Sequence, residues 1–300
     1  ANRQEIAEKK FSQNMKNRIL ITGSNSFVGR EIINYLSKYN YNLIATYRKN
    51  KNEFKSKKVK LVKFDLKKEL NLNKRFGVLV HCASVTPANE FRENYYKINQ
   101  IGFKNLISLC LKSKCNKIIL ISSVAVYGDV KKTITEKSFA RGKSKYAKSK
   151  LKMENILFRF AKKNKINSVV LRLSQVIGSK SVNNYFSDLK KKIHSNKKIT
   201  ISLQSKKDYF NNLCHINDLC INIKKLIDGN IILNKNEVFN FASNKPITIN
   251  KFKKIIYSYN KKIQFVESNI PKFYKISLNK TNKYNLKFRS TLRAIKSSLN

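Results

Sequence analysis

Tyr146 and Lys150 have the spacing of two side chains that can act together on one substrate. Residues four apart lie on the same face of a helix. There a lysine ammonium can lower the pKa of a tyrosine hydroxyl and hold the ribose of a bound cofactor. The hydroxyl can then pass a proton to or from a substrate oxygen while a nicotinamide carries the hydride. The pair therefore suits oxidation of an alcohol or reduction of a carbonyl.

Position decides which Tyr-x-x-x-Lys pair matters. The spacing recurs in this lysine-rich chain at Tyr47/Lys51, Tyr127/Lys131 and Tyr257/Lys261. Only Tyr146 begins a predicted helix after the fifth predicted strand, and Ser123 lies at the C-terminal end of that strand. Open α/β sheets bind their ligands beyond the carboxyl ends of the strands. The Ser123 hydroxyl can hydrogen-bond the reacting oxygen, so we predict Ser123, Tyr146 and Lys150 as the catalytic residues.

The first strand-to-helix turn, residues 22–29, has the pattern of a dinucleotide-binding loop, with an ordinary tight turn as the alternative. Gly23 permits the tight turn, and Gly29 lets the helix pack close to the sheet. The helix N-terminus then offers free N–H groups and the positive end of its dipole to a pyrophosphate. Ser26 stands where the usual middle glycine would be. The predicted contacts are Gly23, Ser26, Phe27, Val28 and Gly29.

The tip of the second predicted strand bears on the choice of cofactor. An acidic residue there would bind the ribose 2′-hydroxyl of NAD, whereas an arginine accommodates the 2′-phosphate of NADP. The chain has Thr46-Tyr47-Arg48-Lys49 at this point and no acid. We therefore predict NADP with Arg48 as its contact. NAD remains the alternative, because a basic residue is common in any loop of this chain.

Short apolar runs alternate with helical periods along the first 175 residues. The predicted strands are Ile19–Thr22, Leu43–Thr46, Val59–Phe64, Val78–Cys82, Lys117–Ile121 and Ser168–Leu173, and the predicted helices are Phe27–Lys38, Tyr95–Leu111 and Ser144–Lys162. This succession predicts an α/β fold, a doubly wound parallel sheet of the Rossmann type. Beyond residue 175 the rhythm changes, which indicates a small, discontinuous C-terminal subdomain for substrate binding.

The predicted domain boundaries follow from this change of rhythm. Residues 1–14 are expected to be a disordered extension, because Met15 opens a segment that reads like a natural start. Residues 15–178 form the predicted dinucleotide-binding domain. Residues 179–300 form mainly the substrate-binding subdomain, with 211–243 returning to the sheet.

The net charge of +47, from 64 Lys and Arg against 17 Asp and Glu, raises the possibility of a nucleic-acid partner. The basic residues are spread along the chain and do not interleave with aromatics as a base-stacking platform would. We therefore do not expect nucleic-acid binding, and the charge instead favours an anionic substrate such as a nucleotide-sugar. No apolar run approaches the roughly 20 residues of a membrane span. Five cysteines without C-x-x-C spacing favour free thiols in a cytoplasmic protein and no metal site.

A collinear series of segments resembles the extended short-chain dehydrogenases/reductases, the NAD-dependent epimerase/dehydratase group that acts on nucleotide-sugars, across about residues 17–292. The series comprises Ile19–Gly29, Asp65-Leu66, residues 81–84, Asn99, Gly102, Asn105-Leu106, Ser122–Gly128, Tyr146–Lys150, Leu171–Gly178, residues 215–219 and residues 239–243. The resemblance implies that Asp65 and Leu66 contact the adenine, that Ala83 and Ser84 line the cofactor channel and that Lys150 holds the nicotinamide ribose. The substrate contacts it implies are Ser84, Ser123, Val124 and Gln175, the last in place of an asparagine.

Two departures from the family pattern narrow the reaction. Val124 and Ala125 stand where the family's 4,6-dehydratases carry an Asp-Glu pair, so dehydration is not expected. Asn211-Asn212 replaces an Arg-Asp pair, and if that arginine clamps a nucleotide phosphate, residues 206 and 207, both lysines, are candidates to replace it.

The sequence therefore predicts an NAD(P)-dependent 4-epimerase or 4-keto-sugar reductase acting on a nucleotide-sugar. One alternative is an NADPH-dependent reductase of a small non-nucleotide carbonyl. Another, of a different class, is a catalytically idle Rossmann protein that binds RNA. Members of the family often form homodimers through helices equivalent to about 95–111 and 144–162, so a homodimer is expected by resemblance.

Overall fold

The fold is described from a computed structural model. It describes residues 17–51, 53–86, 95–129, 133–182, 184–195, 197–202, 209–229, 233, 236–268 and 274–300. The predicted extension over 1–14 and the lysines at 206 and 207 lie outside the described residues.

The N-terminal half alternates strands and helices. Its elements are β1 (Arg18–Thr22), α1 (Phe27–Leu36), β2 (Asn42–Tyr47), β3 (Val59–Lys63), β4 (Val78–His81), α2 (Tyr95–Lys112), β5 (Lys117–Ser123), a 3-10 turn (Val124–Tyr127), α3 (Lys145–Asn164) and β6 (Asn167–Leu173). The strands and helices predicted over this half are confirmed to within two residues at each end.

The C-terminal half has shorter elements. They are β7 (Gln175–Ile177), α4 (Tyr185–His194), β8 (Ile199–Ser202), β9 (Tyr209–Phe210), β10 (Leu213–His215), α5 (Ile216–Asp228), β11 (Asn236–Phe241), β12 (Ile247–Thr248), α6 (Ile249–Tyr259), β13 (Phe265–Ser268), α7 (Asn279–Lys283) and α8 (Thr291–Leu299). Among the described residues, no helix combines the length and apolarity needed to cross a bilayer.

Seven strands form one sheet in the order β11-β6-β5-β4-β1-β2-β3. The pairs β1–β2, β1–β4, β2–β3 and β4–β5 are parallel. The order reverses direction at β1, which has β2 on one side and β4 on the other. This is the switch point at which doubly wound sheets bind their ligands. The predicted Rossmann-type sheet is confirmed.

The apolar runs that predicted the central strands are buried because helices cover the sheet. All four residues of β4 are buried. One core cluster packs Leu20 and Leu79 of the sheet against Phe103 of α2 and Leu157 of α3. Burial of these strands fixes the carboxyl ends of β1, β4 and β5 along one edge, where the predicted site residues begin.

The chain divides into two compact units. The first comprises residues 1–126, 143–171 and 223–238, and the second comprises residues 127–142, 172–222 and 239–300. The second unit has its own core, in which Phe186, Phe210 and Phe252 pack edge to face. Three short strand pairs, β7–β10, β9–β12 and β8–β13, complete it.

Candidate functional site

The turn after β1 leaves no room for side chains at its two glycines. Gly23 has φ +84°, and a Cβ there would lie 2.8 Å from the backbone nitrogen of Ala83. A Cβ on Gly29 would lie 2.2 Å from the carbonyl oxygen of Gly23. The turn and the first turn of α1 are therefore in backbone contact, as the predicted phosphate loop requires.

Ser26, in the place of a middle glycine, closes this turn with its hydroxyl. Its Oγ accepts a hydrogen bond from Gly29 N at 3.0 Å and donates one to Gly23 O at 2.8 Å. The cap uses the third N–H of α1, and the two before it belong to Phe27 and Val28. The first N–H groups of a helix have no intrahelical partner. Both are thus available to an anion at the helix N-terminus.

The loop after β2 is tied to the same turn by Asn25. The Asn25 Oδ1 accepts a hydrogen bond from Arg48 N at 3.2 Å, and Asn25 Nδ2 donates one to Asn50 O at 2.8 Å. The Arg48 side chain is exposed. Asn25 is not among the predicted site residues, since an asparagine in a turn has no distinctive pattern.

A cavity of about 550 Å³ opens at the carboxyl ends of β1 to β4. Seven of the residues predicted to bind a cofactor line it, namely Gly23, Ser26, Arg48, Asp65, Leu66, Ala83 and Ser84. Lining residues that the sequence did not single out for the cofactor include Asn25, Tyr47, Lys49, Val85 and Ile98. The volume lies within the range of small-molecule sites, roughly 300–1,000 Å³.

Asp65 and Leu66 shape one wall of the cavity. The Asp65 Oδ1 accepts a hydrogen bond from Lys67 N at 2.9 Å, which holds the turn after β3. Leu66 packs directly on α2, because a Cβ at Gly102 would lie 2.6 Å from the Leu66 Cβ. Gly102 therefore allows the close approach that brings Leu66 to the wall.

Asn99 holds the segment after β4, which also lines the cavity. Its side-chain amide accepts from Val85 N at 2.8 Å and donates to Val85 O at 3.1 Å. The same amide donates to Ser149 Oγ at 3.4 Å. The loop that carries Ala83 and Ser84 is thereby linked to both α2 and α3.

His81 is a packed core side chain at the end of β4, only 1% exposed. Thr22 Oγ1 accepts a hydrogen bond from Ala83 N at 3.1 Å and is also hydrogen-bonded to His81 Nδ1 at 2.8 Å. The ring stacks on Phe103 at 5.0 Å. Burial, and then the charge of Lys150, lower the pKa of His81 to about 3, which keeps the imidazole neutral.

Ser123, Tyr146 and Lys150 converge beyond the end of β5. Ser123 is hydrogen-bonded to the Tyr146 hydroxyl, and its Oγ accepts from Ala125 N at 3.2 Å. Lys150 Nζ donates to the carbonyl oxygen of Ile121 at 2.9 Å and lies 5.7 Å from the centre of the Tyr146 ring. The structure thus brings the three predicted catalytic residues together.

The start of α3 fixes the tyrosine. The Ser144 side chain caps the helix by accepting from Ala147 N at 3.1 Å. Tyr146 is in the first turn and Lys150 one turn later on the buried side of the helix. This side also carries Met153, Glu154, Leu157 and Ala161.

Burial is the largest influence on the pKa values of Tyr146 and Lys150. It raises the pKa of Tyr146 to about 12, while the hydrogen bond with Ser123 acts in the opposite direction. Burial lowers the pKa of Lys150 to about 8, and Cys82 and Glu154 oppose that shift. At neutral pH the lysine is charged and the phenol holds its proton.

The remaining predicted substrate contacts have no charged group. Val124 is buried in the 3-10 turn after β5, and Ala125 follows it. Gln175 begins β7 in the second unit, half-buried, and its N–H donates to Asn212 O at 3.2 Å. The structure describes no carboxylate at either position after Ser123.

Asn211 and Asn212, in the place of the family's Arg-Asp pair, bind the chain's own backbone. Asn211 Nδ2 donates to Ser243 O at 2.8 Å and to Ile276 O at 2.9 Å, and its Oδ1 accepts from Ile276 N at 2.7 Å. Asn212 Oδ1 accepts from Tyr274 N at 3.3 Å. The Asn211 side chain is only 2% exposed, so it cannot contact a phosphate in solvent.

Comparison with known proteins identifies the family of the chain. Residues 19–242 match the NAD dependent epimerase/dehydratase family. The chain belongs to this family. The match covers the turn after β1, the cavity, the three predicted catalytic residues and the Asn211-Asn212 segment.

Curated relatives match parts of the chain. The chain is 30% identical to a human sterol-4-alpha-carboxylate 3-dehydrogenase, decarboxylating, over 125 residues, which are 39% of the chain and 32% of the relative. It is 30% identical to a Caenorhabditis elegans UDP-glucose 4-epimerase over 190 residues, 54% of each. The chain thus spans about half or less of the curated relatives it matches.

Solved structures extend the likeness of fold to nearly the whole chain. A UDP-glucuronic acid 4-epimerase from Bacillus cereus, solved with NAD, superposes with a TM-score of 0.77 at 18% identity, covering 94% of this chain and 97% of that one. At this identity the likeness shows the fold alone.

Proposed function

We propose that this epimerase/dehydratase family member is an NAD(P)-dependent enzyme that acts on a nucleotide-sugar by hydride transfer, as a 4-epimerase or a 4-keto-sugar reductase. The observation that carries the proposal is the convergence of Ser123, Tyr146 and Lys150 beyond β5. They lie on the same edge of the parallel sheet as the cavity formed by the ends of β1 to β4.

The cavity suits a dinucleotide. The N–H groups of Phe27 and Val28 would bind the pyrophosphate, with Gly23, Ser26 and Gly29 allowing its close approach. Asp65 and Leu66 would bind the adenine, and Ala83 and Ser84 would line the channel to the nicotinamide. We propose NADP on the strength of Arg48, with NAD as the alternative that the family's description and the cofactor of the B. cereus structure favour.

Each catalytic side chain has a distinct part. The bound nicotinamide supplies or accepts the hydride. Tyr146 gives a proton to, or takes one from, the substrate oxygen at its phenolic oxygen, and Ser123 hydrogen-bonds the same substrate oxygen. The Lys150 ammonium holds the ribose, and its positive charge favours the phenolate that Tyr146 must form.

Dehydration is not part of the proposed reaction. Loss of water from a sugar needs one group to deprotonate carbon and another to protonate the leaving hydroxyl. Val124 and Ala125 offer neither. The structure is consistent with epimerisation or reduction, in which Tyr146 alone moves the proton.

A second candidate is NADPH-dependent reduction of a small non-nucleotide carbonyl. It is favoured by the Asn211 amide, which bonds Ser243 and Ile276 in place of the arginine that would clamp a nucleotide phosphate. The similarity to a sterol dehydrogenase is in keeping with it. The first candidate remains our choice, because the match to the C. elegans UDP-glucose 4-epimerase extends over 190 residues, against 125 for the sterol dehydrogenase.

Turnover of a substrate panel by wild type and a Tyr146→Phe variant tests the proposal. The panel contains UDP-glucose, UDP-glucuronic acid, a 4-keto derivative of UDP-glucose and a set of small ketones, with NAD, NADP, NADH or NADPH, and products are identified by NMR. We expect a nucleotide-sugar to be converted, and Tyr146→Phe to lower kcat at least about 100-fold through loss of the proton donor.

The matched control is Tyr257→Phe, at an exposed tyrosine with the same Tyr-x-x-x-Lys spacing, which should leave kcat unchanged. Turnover of ketones alone would favour the second candidate. Full activity in Tyr146→Phe would contradict both. By resemblance we also propose a homodimer through α2 and α3, which sedimentation of the same preparations measures.

A further inference from the structure

A carboxylate lies one turn beyond Lys150 on the buried side of α3. Glu154 is 0% exposed, although the chain has only 17 Asp and Glu and most of its charge is positive. A buried carboxylate costs several kcal/mol unless it is paired and hydrogen-bonded. The site must therefore compensate it.

Two contacts tie this side of α3 to β5. Ser122 Oγ donates a hydrogen bond to Glu154 Oε1, and Lys150 Nζ donates to the carbonyl oxygen of Ile121. In β5, Ile121 supplies the acceptor and the next residue, Ser122, supplies the donor. Both residues come immediately before Ser123. The helix and the strand are thus held in register at the catalytic end.

The groups that face Lys150 leave Glu154 as its main negative neighbour. His81 and Cys82 approach from the end of β4, where burial lowers the pKa of His81 to about 3 and raises that of Cys82 to about 12, so both are neutral at pH 7. Tyr146 on the same helix also holds its proton. Cys82 and Glu154 are the two groups that oppose the effect of burial on the ammonium, and of these two, Glu154 is the one that is charged at pH 7.

We propose that Glu154, held by Ser122, is a positioning residue that keeps Lys150 charged and directed toward the cofactor ribose and Tyr146. This inference rests on the proposed function for its role in catalysis. The electrostatic interaction between Glu154 and Lys150 on which it is based does not depend on any substrate.

The first test is NADPH affinity between pH 6 and 10, measured by nicotinamide fluorescence, for wild type, Glu154→Gln and Glu154→Asp. Lys150 has a pKa of about 8, so wild-type affinity should fall above that pH. Glu154→Gln keeps an acceptor for Ser122 but loses the charge. Its fall in affinity should begin about one pH unit lower, since a nearby opposite charge shifts a pKa by one unit or more.

Rescue and control variants distinguish a positioning role of Glu154 from a merely structural role. Glu154→Asp keeps the charge and should restore the wild-type midpoint. Glu237→Gln, at another buried glutamate, should leave the midpoint unchanged. A uniform loss of affinity in Glu154→Gln at every pH, with no shift of the midpoint, would overturn the inference.

Urea unfolding over the same pH range tests the coupling without a cofactor. Because the folded pKa of Lys150 is lowered, the unfolded chain binds more protons above pH 8, and the free energy of unfolding rises with pH there. In Glu154→Gln this rise should start about one pH unit lower. An unshifted rise would contradict the coupling, whereas wild type that binds no dinucleotide but shows the shift would contradict the proposed function alone.

Discussion

Single atoms decide the geometry of the turn after β1. A Cβ on Gly29 would meet the Gly23 carbonyl oxygen at 2.2 Å, a contact with backbone that no side-chain movement can relieve. Gly229, at the end of α5, differs: its φ of +76° disfavours a side chain, but no atom lies within 4 Å of the added Cβ. A side chain added at Gly29 would cost stability through a steric clash, whereas one added at Gly229 would cost stability through its backbone conformation.

Gly29→Ala should weaken dinucleotide binding at least about tenfold and lower the free energy of unfolding by about 1–3 kcal/mol, because α1 must move away from the turn. Gly229→Ala should cost about 1 kcal/mol through its left-handed backbone and leave binding unchanged. Urea unfolding and NADPH titration of both variants measure this. Undiminished binding in Gly29→Ala would show that the turn does not hold the cofactor.

A catalytic residue can be predicted from the sequence when its position along a helix or strand determines the direction of its side chain. Tyr146 and Lys150 follow from helical spacing after a strand end, and the structure brings them together with Ser123. Glu154 has the same spacing from Lys150, yet the sequence does not single it out. Which face of α3 is buried depends on packing against β5, and this is known only from the fold.

At the scale of elements, side chains that hydrogen-bond the backbone of distant segments stabilise the second unit. The Asn211 amide joins the segment before β10 to the residues around Ser243 and Ile276 through three hydrogen bonds of 2.7–2.9 Å. The long strands and helices of the Rossmann-type sheet are predictable because their apolar periods are long. Strands of two or three residues, such as β9 and β10, carry too little apolar pattern to be predicted, because their positions depend on pairing with β12 and β7 and on packing in the core.

Asn211→Ala should lower the free energy of unfolding by about 3 kcal/mol, because it leaves two carbonyl oxygens and one N–H buried without partners. Asn211→Arg, which restores the family's residue, should also destabilise, since the position is 2% exposed. Asn42→Ala, at an exposed asparagine, is the control and should stay within about 0.5 kcal/mol. If urea unfolding found Asn211→Arg as stable as the wild type, the stabilising role of the Asn211 hydrogen bonds would be refuted.

At the scale of the whole molecule, charge is the unusual property. The net charge of +47 does not itself predict a fold, and the described residues form apolar core clusters despite it. His81 shows how the protonation of a buried side chain affects the free energy of unfolding. Burial holds the pKa of His81 at about 3, while His194 is exposed on α4.

Acidification should therefore destabilise the chain below pH 6.5. The unfolded chain protonates His81 near pH 6.5 and the folded chain only near pH 3, so stability is present above pH 6.5 and is lost as the pH falls. The expected slope is up to about 1.4 kcal/mol per pH unit for this group. In urea unfolding at pH 4.5 to 7, His81→Gln should flatten the slope, whereas His194→Gln should not. Equal slopes in wild type and His81→Gln would contradict a buried neutral imidazole.

We propose above that the cavity at the ends of β1 to β4 binds a nicotinamide dinucleotide. Titration of the wild type and an Arg48→Asp variant with NADPH and NADH, followed by nicotinamide fluorescence, tests it most directly. We predict saturable binding of both, with NADPH at least about tenfold tighter in the wild type because Arg48 pairs with the 2′-phosphate. In Arg48→Asp, NADH should become the tighter ligand. Binding of neither dinucleotide to the wild type would contradict the account, and an unchanged preference in the variant would remove Arg48 from it.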